Sequence, residues 1–248
     1  MVFEKGNFRM ETPSKYLQRI VNKIIYNEDE FKIYWGDNRY VMGFNSPTMA
    51  NLNKFFSIKT VYDTIVDIDR KIKYSFNKIL NMNLPETLKE YNPFSKQADN
   101  EYWAMYYVEN IIFRTSTLWD LLAQLYNIHF DLKYDIDKVY YRTLFNNCAQ
   151  GKNAIPQAKR IDAYFREEDN MDTTPWGGNH AYVTEFRNKM THRNAPSISA
   201  INQYATELRP PAMYVLIRVI EDYAQVSHYI NELLSQIDFE KLLSEIRP

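Results

Sequence analysis

Residues 185–196 read EFRNKMTHRNAP, and they hold the residue types best suited to acid–base chemistry on a phosphate. Arg187 and His192 are separated by four residues, with Asn188 directly after the arginine. On a helix wheel with 100° per residue, Arg187 and His192 are not stacked on each other. They bracket a polar face made of Thr184, Asn188 and Thr191. Asn188 and His192 are i,i+4 neighbours. A phosphate over such a face meets a guanidinium on one side and an imidazole on the other. Arginine offers a planar, permanently charged fork for phosphate oxygens. Histidine titrates near neutral pH and moves protons. A helix C-terminus favours the imidazolium, because the dipole is negative there. Asn188 is placed to orient the imidazole or to donate to a phosphate oxygen. The same residues can equally form the solvated charged end of an ordinary helix.

The elements around this stretch are helical. The segment from about Asn179 to Arg193 buries Tyr182, Val183, Phe186 and Met190, and it stops because Pro196 disfavours helical geometry at Ala195. After a linker, Pro210-Pro211 leads into a last long helix with Met213, Leu216, Ile217, Ile220, Ala224, Ile230 and Leu234 on its core face. A helix over about 100–127 carries a stripe of Trp103, Tyr107, Ile111, Leu118, Leu121 and Leu125. Asn110, Arg114 and Thr117 fall inside or beside it. An arginine in a core stripe is costly, so Arg114 either pairs with a carboxylate or lines a polar cleft. Shorter helices are expected over 137–149 and 155–168, and a loop over 167–180 with the Gly177-Gly178 pair. Upstream, 14–26 reads as a helix with Ser14 as N-cap, and 57–80 as a strong one. Residues 31–44 read as a short hairpin turning at Gly36-Asp37-Asn38, or as a helical turn and a loop. The proline-bearing stretch 81–100 reads as a connector. The expected architecture is mostly α: a helical bundle over 98–248 with a mainly helical N-terminal extension over 1–97.

The bulk numbers narrow the function classes. The 248 residues carry a formal net charge of −1, so a spread cationic face for nucleic acid is excluded and any such contact is focused. The single cysteine, Cys148, permits no disulfide within the chain and no multi-cysteine zinc site, which fits a reducing, cytoplasmic setting. The N-terminus lacks the apolar core of a signal peptide, and MYVLIRVI at 213–220 is too short to span a bilayer. The chain is therefore expected to be soluble, with no membrane partner. Its six glycines and few turn dipeptides favour helices, and the twenty tyrosines read as half-buried substitutes for Leu and Phe.

Other chemistry-bearing residues read more simply. His180, in the Gly-Gly loop, is expected at the surface or capping a helix. His228 is expected half-buried. His129 with Asp131, Asp135 and Asp137 lacks the glycine and terminal glutamate of a calcium loop and reads as a solvated acidic loop. REEDNMD at 166–172 reads as a solvated helix end, and Trp176 as an apolar anchor or a base-stacking residue. No phosphate-binding glycine loop, dinucleotide fingerprint, zinc-protease helix or nucleophile elbow is present. No metal site and no cofactor is expected.

The stretch Arg187–His192, R-N-K-M-T-H, resembles the signature of the HEPN superfamily, the higher eukaryotes and prokaryotes nucleotide-binding domains. The helix order over about 98–235 resembles it too: a long first helix, the signature on a late helix, and one more long helix after it. The resemblance is motif-specific only over 187–192. It implies a metal-independent endoribonuclease, usually a homodimer, in which two such motifs share a cleft. His192 would be the acid or base and Arg187 the stabiliser of the phosphorane, with Asn188, Thr191, Thr184 and Arg114 in supporting or phosphate-binding roles. It also implies a toxin–antitoxin or antiviral defence setting, with RNA or a nucleotide as ligand and an antitoxin protein as a further partner. The competing expectation is a non-catalytic module of the same fold that binds a nucleotide, RNA or protein.

Overall fold

A computed structural model describes residues 11–26, 50–85, 91–150, 154–171, 174–192, 196–201 and 206–243. The fold is mostly α, as the periodicity predicts. The hairpin expected over 31–44 lies outside the described residues.

Eight α-helices are present among the described residues: α1 (Pro13–Asn22), α2 (Ala50–Leu80), α3 (Asp99–His129), α4 (Tyr141–Ala149), α5 (Pro156–Phe165), α6 (Asn179–His192), α7 (Ala212–Leu234) and α8 (Phe239–Leu243). Two small antiparallel hairpins accompany them. One pairs β1 (Glu168–Met171) with β2 (Thr174–Gly177), and the other pairs β3 (Ala200–Ile201) with β4 (Thr206–Glu207). The chain forms two compact units, one from residues 1–24, 71–116 and 163–225, the other from 25–70, 117–162 and 226–248. Both units draw on chain from either side of residue 97.

In the first unit, α1 starts one residue before the expected cap. Thr12 is the N-cap, accepting from the Lys15 N–H at 3.5 Å, and Pro13 takes the first helical position, where a missing N–H is harmless. The helix ends at Asn22 rather than 26, and the chain beyond it is fixed by Lys73, whose ammonium donates to the Ile24 carbonyl at 2.6 Å. The core of this unit is built from Leu17, Phe76, Met105, Ile112, Leu216 and Ile220, all essentially inaccessible or nearly so.

Of the expected α3 stripe, Ile111, Leu118, Leu121 and Leu125 are buried, and the difference lies in its N-terminal part. Ala104, Met105, Val108, Ile111 and Ile112 are buried, whereas Trp103 is 51 % exposed. Trp103 sits about 130° round the helix from the buried centre. An aromatic residue at a half-apolar position misled the phase of the stripe. Arg114 is consequently half-buried rather than in the core.

The second unit packs Phe55, Ile58 and Ile65 of α2 with Trp119, Leu122 and Tyr126 of α3, all fully buried. Trp119 stacks on Tyr141 of α4 at 6.4 Å, and Tyr126 meets Phe145 edge-on at 4.9 Å. The Tyr126 hydroxyl donates to the side-chain carbonyl of Gln157, whose amide donates to the Tyr229 carbonyl at 3.1 Å. The helix expected over 137–149 is split, with a short 3-10 turn at Ile136–Lys138 before α4. His129 and the acidic stretch after it form no metal cluster among the described residues.

Between α5 and α6 the expected loop is the β1–β2 hairpin, registered Glu168↔Gly177 and Asp169↔Trp176. Its strand residues, Glu-Asp-Asn-Met, are poor strand formers, so propensity pointed elsewhere and ladder pairing decided the outcome. REEDNMD is therefore largely strand rather than a helix end. Trp176 belongs to β2 by its backbone, and its side chain lies outside the described ones.

Candidate active site

The start of α6 is fixed with unusual thoroughness. A Cβ on Gly178 would lie 2.7 Å from the Glu167 carbonyl oxygen, and the Gly178 N–H donates to that same oxygen at 2.8 Å. Only glycine permits this approach of the hairpin to the helix start. The Gly178 carbonyl then accepts from Tyr182 N–H at 2.9 Å, which opens the helix. Arg218 of α7 donates to the Gly177 carbonyl at 2.7 Å and lies over the Tyr182 ring at 5.2 Å.

Two adjacent acidic residues of α7 hold the first turn. Asn179 donates to Glu221 Oε2 at 2.6 Å, and Tyr16 of α1 donates to Glu221 Oε1 at 3.0 Å. His180 is 2 % exposed, contrary to its expected surface place. Its Nδ1 lies 3.2 Å from Oδ1 of the fully buried Asp222, and the Tyr164 hydroxyl donates to the same oxygen at 2.9 Å. The Phe165 ring packs on the imidazole at 4.3 Å. Burial and the adjacent Asp222 carboxylate push the Tyr164 phenol well above its usual range, so it is a fixed donor. His180 is thus a structural residue inside a polar knot, closed off from solvent.

Further along α6, Val183 and Phe186 are buried, and Lys189 bridges Glu185 at 3.1 Å and Glu207 of β4 at 3.4 Å. The face opposite the core carries Arg187, half-buried, with Asn188 and Thr191 exposed. Among the described residues the Arg187 guanidinium is in no ion pair or hydrogen bond. The Thr191 hydroxyl lies 3.2 Å from both the Arg187 and the Asn188 carbonyls, so its proton is committed to the backbone. Thr184 turns to the knot, with its hydroxyl 3.5 Å from His180 Nε2, and does not join Arg187. His192 is the last residue of α6, and its side chain lies outside the described ones.

Arg114 is held on its own helix. It donates to the carbonyl and to the side-chain oxygen of Asn110, at 2.9 and 3.0 Å. Among the described residues it is in no ion pair, so the expected carboxylate pairing is not observed, and no hydrogen bond joins it to the α6 face. His228 is exposed rather than half-buried, 3.9 Å from Glu232.

The polar knot escaped the sequence reading. One signal was available: Glu221-Asp222 interrupts the apolar run of α7, and a carboxylate on a buried face needs a partner.

No protein-family model, no curated protein and no solved structure matches this chain.

Proposed function

We propose that the chain is a metal-independent endoribonuclease of the HEPN type, acting in toxin–antitoxin or antiviral defence. The observation that supports it most is the state of Arg187. It stands half-buried at the outer face of a firmly anchored helix, beside exposed Asn188, with no carboxylate partner among the described residues. A cation with no ion-pair or hydrogen-bond partner among the described residues, at such a place, suits a phosphate. The R-N-K-M-T-H signature puts His192 one turn beyond Asn188.

In the proposed reaction the ribose 2′-hydroxyl attacks the adjacent phosphorus. His192 takes the hydroxyl proton or supplies one to the departing 5′-oxygen. Arg187 stabilises the charge that grows on the phosphorane oxygens. The P–O5′ bond breaks, leaving a 2′,3′-cyclic phosphate and a 5′-hydroxyl. The metal independence, the defence setting and an antitoxin partner rest on the resemblance. So does the homodimer, in which a second copy brings its own Arg187 and His192 to a shared cleft. An exposed aromatic row on α3, formed by Tyr102, Trp103 and Tyr106 in edge-to-face contacts of 5.3 and 5.9 Å, suits burial against that copy.

The test is RNA cleavage in EDTA by the parent and by His192→Ala and Arg187→Lys, with analysis of product ends. The expected result is cyclic-phosphate ends from the parent and a loss of about 10²-fold or more in each variant. Arg187→Lys keeps the charge and removes the fork. A His192→Ala protein cleaving at the parent's rate would refute the assignment. RNA bound by the parent but cut by none of the three proteins would leave a binding module of the same fold.

A further inference from the structure

A second polar site lies in the first unit, away from the α6 motif in sequence. A pocket of about 310 Å3 is lined by Tyr91, Ser95, Lys96, Gln97, Glu101 and Arg209, among others. Arg209 is only 8 % exposed. Its hydrogen-bonding partners are neutral: Nε donates to the Tyr91 hydroxyl at 2.8 Å, and Nη2 reaches the Ser95 carbonyl at 3.4 Å. The Tyr91 hydroxyl in turn donates to the Arg209 carbonyl at 2.9 Å, which fixes the side chain against its own backbone. Among the described residues no carboxylate lies within ion-pair distance of this guanidinium. Glu101 is near enough to feel the charge, but its Oε1 is committed to the Ala212 N–H at 2.6 Å. A buried guanidinium without a contact counterion is costly, and an anion entering the pocket relieves that cost.

Two further features point the same way. The Gln97 side-chain nitrogen is buried and has no hydrogen-bond partner among the described residues. A buried donor without an acceptor is rare, and because Gln97 lines the pocket, a turn of its side chain toward the cavity would offer that donor to a ligand oxygen. Lys96 is exposed at the same pocket and adds a second positive charge. Two cations and one amide donor against the single Glu101 carboxylate leave the pocket net positive, and several donors suit the three oxygens of a phosphoryl group better than a carboxylate. The volume lies at the lower end for small-molecule sites and exceeds what a bare phosphate fills. We infer that this pocket binds a small phosphate monoester, its phosphoryl group held by Arg209, Lys96 and the Gln97 amide. The site is independent of the ribonuclease reading.

The test is calorimetric titration of the full chain with inorganic phosphate and with phenyl phosphate at constant ionic strength, with NMR observation of the Gln97 side-chain amide. The expected result is one saturable site, tighter for phenyl phosphate, with the Gln97 amide shifting along the same isotherm. Arg209→Lys should weaken binding about tenfold or more, the loss of one charge-assisted fork. Lys96→Ala, an exposed position, should weaken it about threefold. Where Arg209→Lys does not fold, Lys96→Ala and Gln97→Leu carry the comparison. Absence of saturable binding to the parent at millimolar ligand overturns the proposal. So does binding that survives both Lys96→Ala and Gln97→Leu, or that is lost in Arg187→Ala, which would move the anion to the α6 face.

Discussion

At the scale of single residues, two histidines twelve positions apart on one helix are read in opposite ways: one is structural, and the other is proposed to be chemical. His180 is sealed with Asp222 and Tyr164, while His192 closes the helix at the end that the signature assigns to chemistry. Sequence spacing alone cannot separate them, because burial depends on what α7 presents, and Asp222 is 42 residues away. The Arg187–His192 spacing was legible because it lies within one helix. The partners of Arg114 were not, because the phase of its stripe was set by an exposed tryptophan. The knot itself makes a prediction. Asp222→Ala removes a buried carboxylate that contacts both the Tyr164 hydroxyl and the buried His180 imidazole, so the protein should lose about 3 kcal/mol or more. Tyr164→Phe should lose about 1 kcal/mol. Urea unfolding midpoints measure both. An Asp222→Ala protein with the parent's midpoint would mean that the knot does not anchor α6.

At the scale of elements, the long helices were legible from periodicity, and their ends were less so. α3 and α6 fall within a residue or two of their expected bounds, whereas α1 and α5 stop early and α2 starts early. The hairpins were illegible because backbone pairing, not side-chain preference, forms them. The β1–β2 hairpin leads into Gly178, so Gly178→Ala should be destabilising by about 1–3 kcal/mol through the clash with the Glu167 carbonyl. Gly177→Ala should cost less, since among the described residues its Cβ would meet the Ala181 methyl, at 3.0 Å, and no backbone atom. Thermal midpoints of the two variants should fall in that order, and equal midpoints would count against a tight hairpin-to-helix joint. The far end of α3 gives a pH effect. His129 is half-buried, and its carbonyl accepts from Lys54 at 2.7 Å. Burial first, and the Lys54 charge second, hold the imidazole below its usual pKa of 6.5. The unfolded chain therefore binds the proton more readily than the folded one. Stability attributable to His129 is complete above pH 6.5 and is lost as pH falls through the window beneath it. His129→Gln should flatten that part of the curve, measured as unfolding midpoints between pH 7.5 and 5. An unchanged slope would assign the acid loss to other groups.

At the scale of the whole molecule, the sequence excluded more than it specified. A net charge of −1 left room only for focused recognition of an anion, and the two places singled out, Arg187 and Arg209, are each single guanidiniums without a carboxylate in contact among the described residues. No helix among those residues is long and apolar enough to cross a membrane. Among the described residues the surface carries a feature that a lone chain does not need. Tyr102, Trp103 and Tyr106 are each at least half exposed on one turn and a half of α3, with Phe113 further along at 43 %. Scattered exposed aromatics are ordinary, but a contiguous row is not. If a second copy covers it, as the ribonuclease reading requires, a charge at its centre should split the pair while leaving each chain folded, because Trp103 contributes little to the core. Trp103→Glu should therefore sediment as a monomer where the parent sediments as a dimer, with an unfolding midpoint set by the loss of the interface alone. RNA cleavage should fall with it, since each half-cleft lacks the other motif, and should recover in part at high protein concentration. A Trp103→Glu protein that remains dimeric and active would place the interface elsewhere. A parent that is monomeric yet cleaves RNA would show that one Arg187–His192 pair suffices.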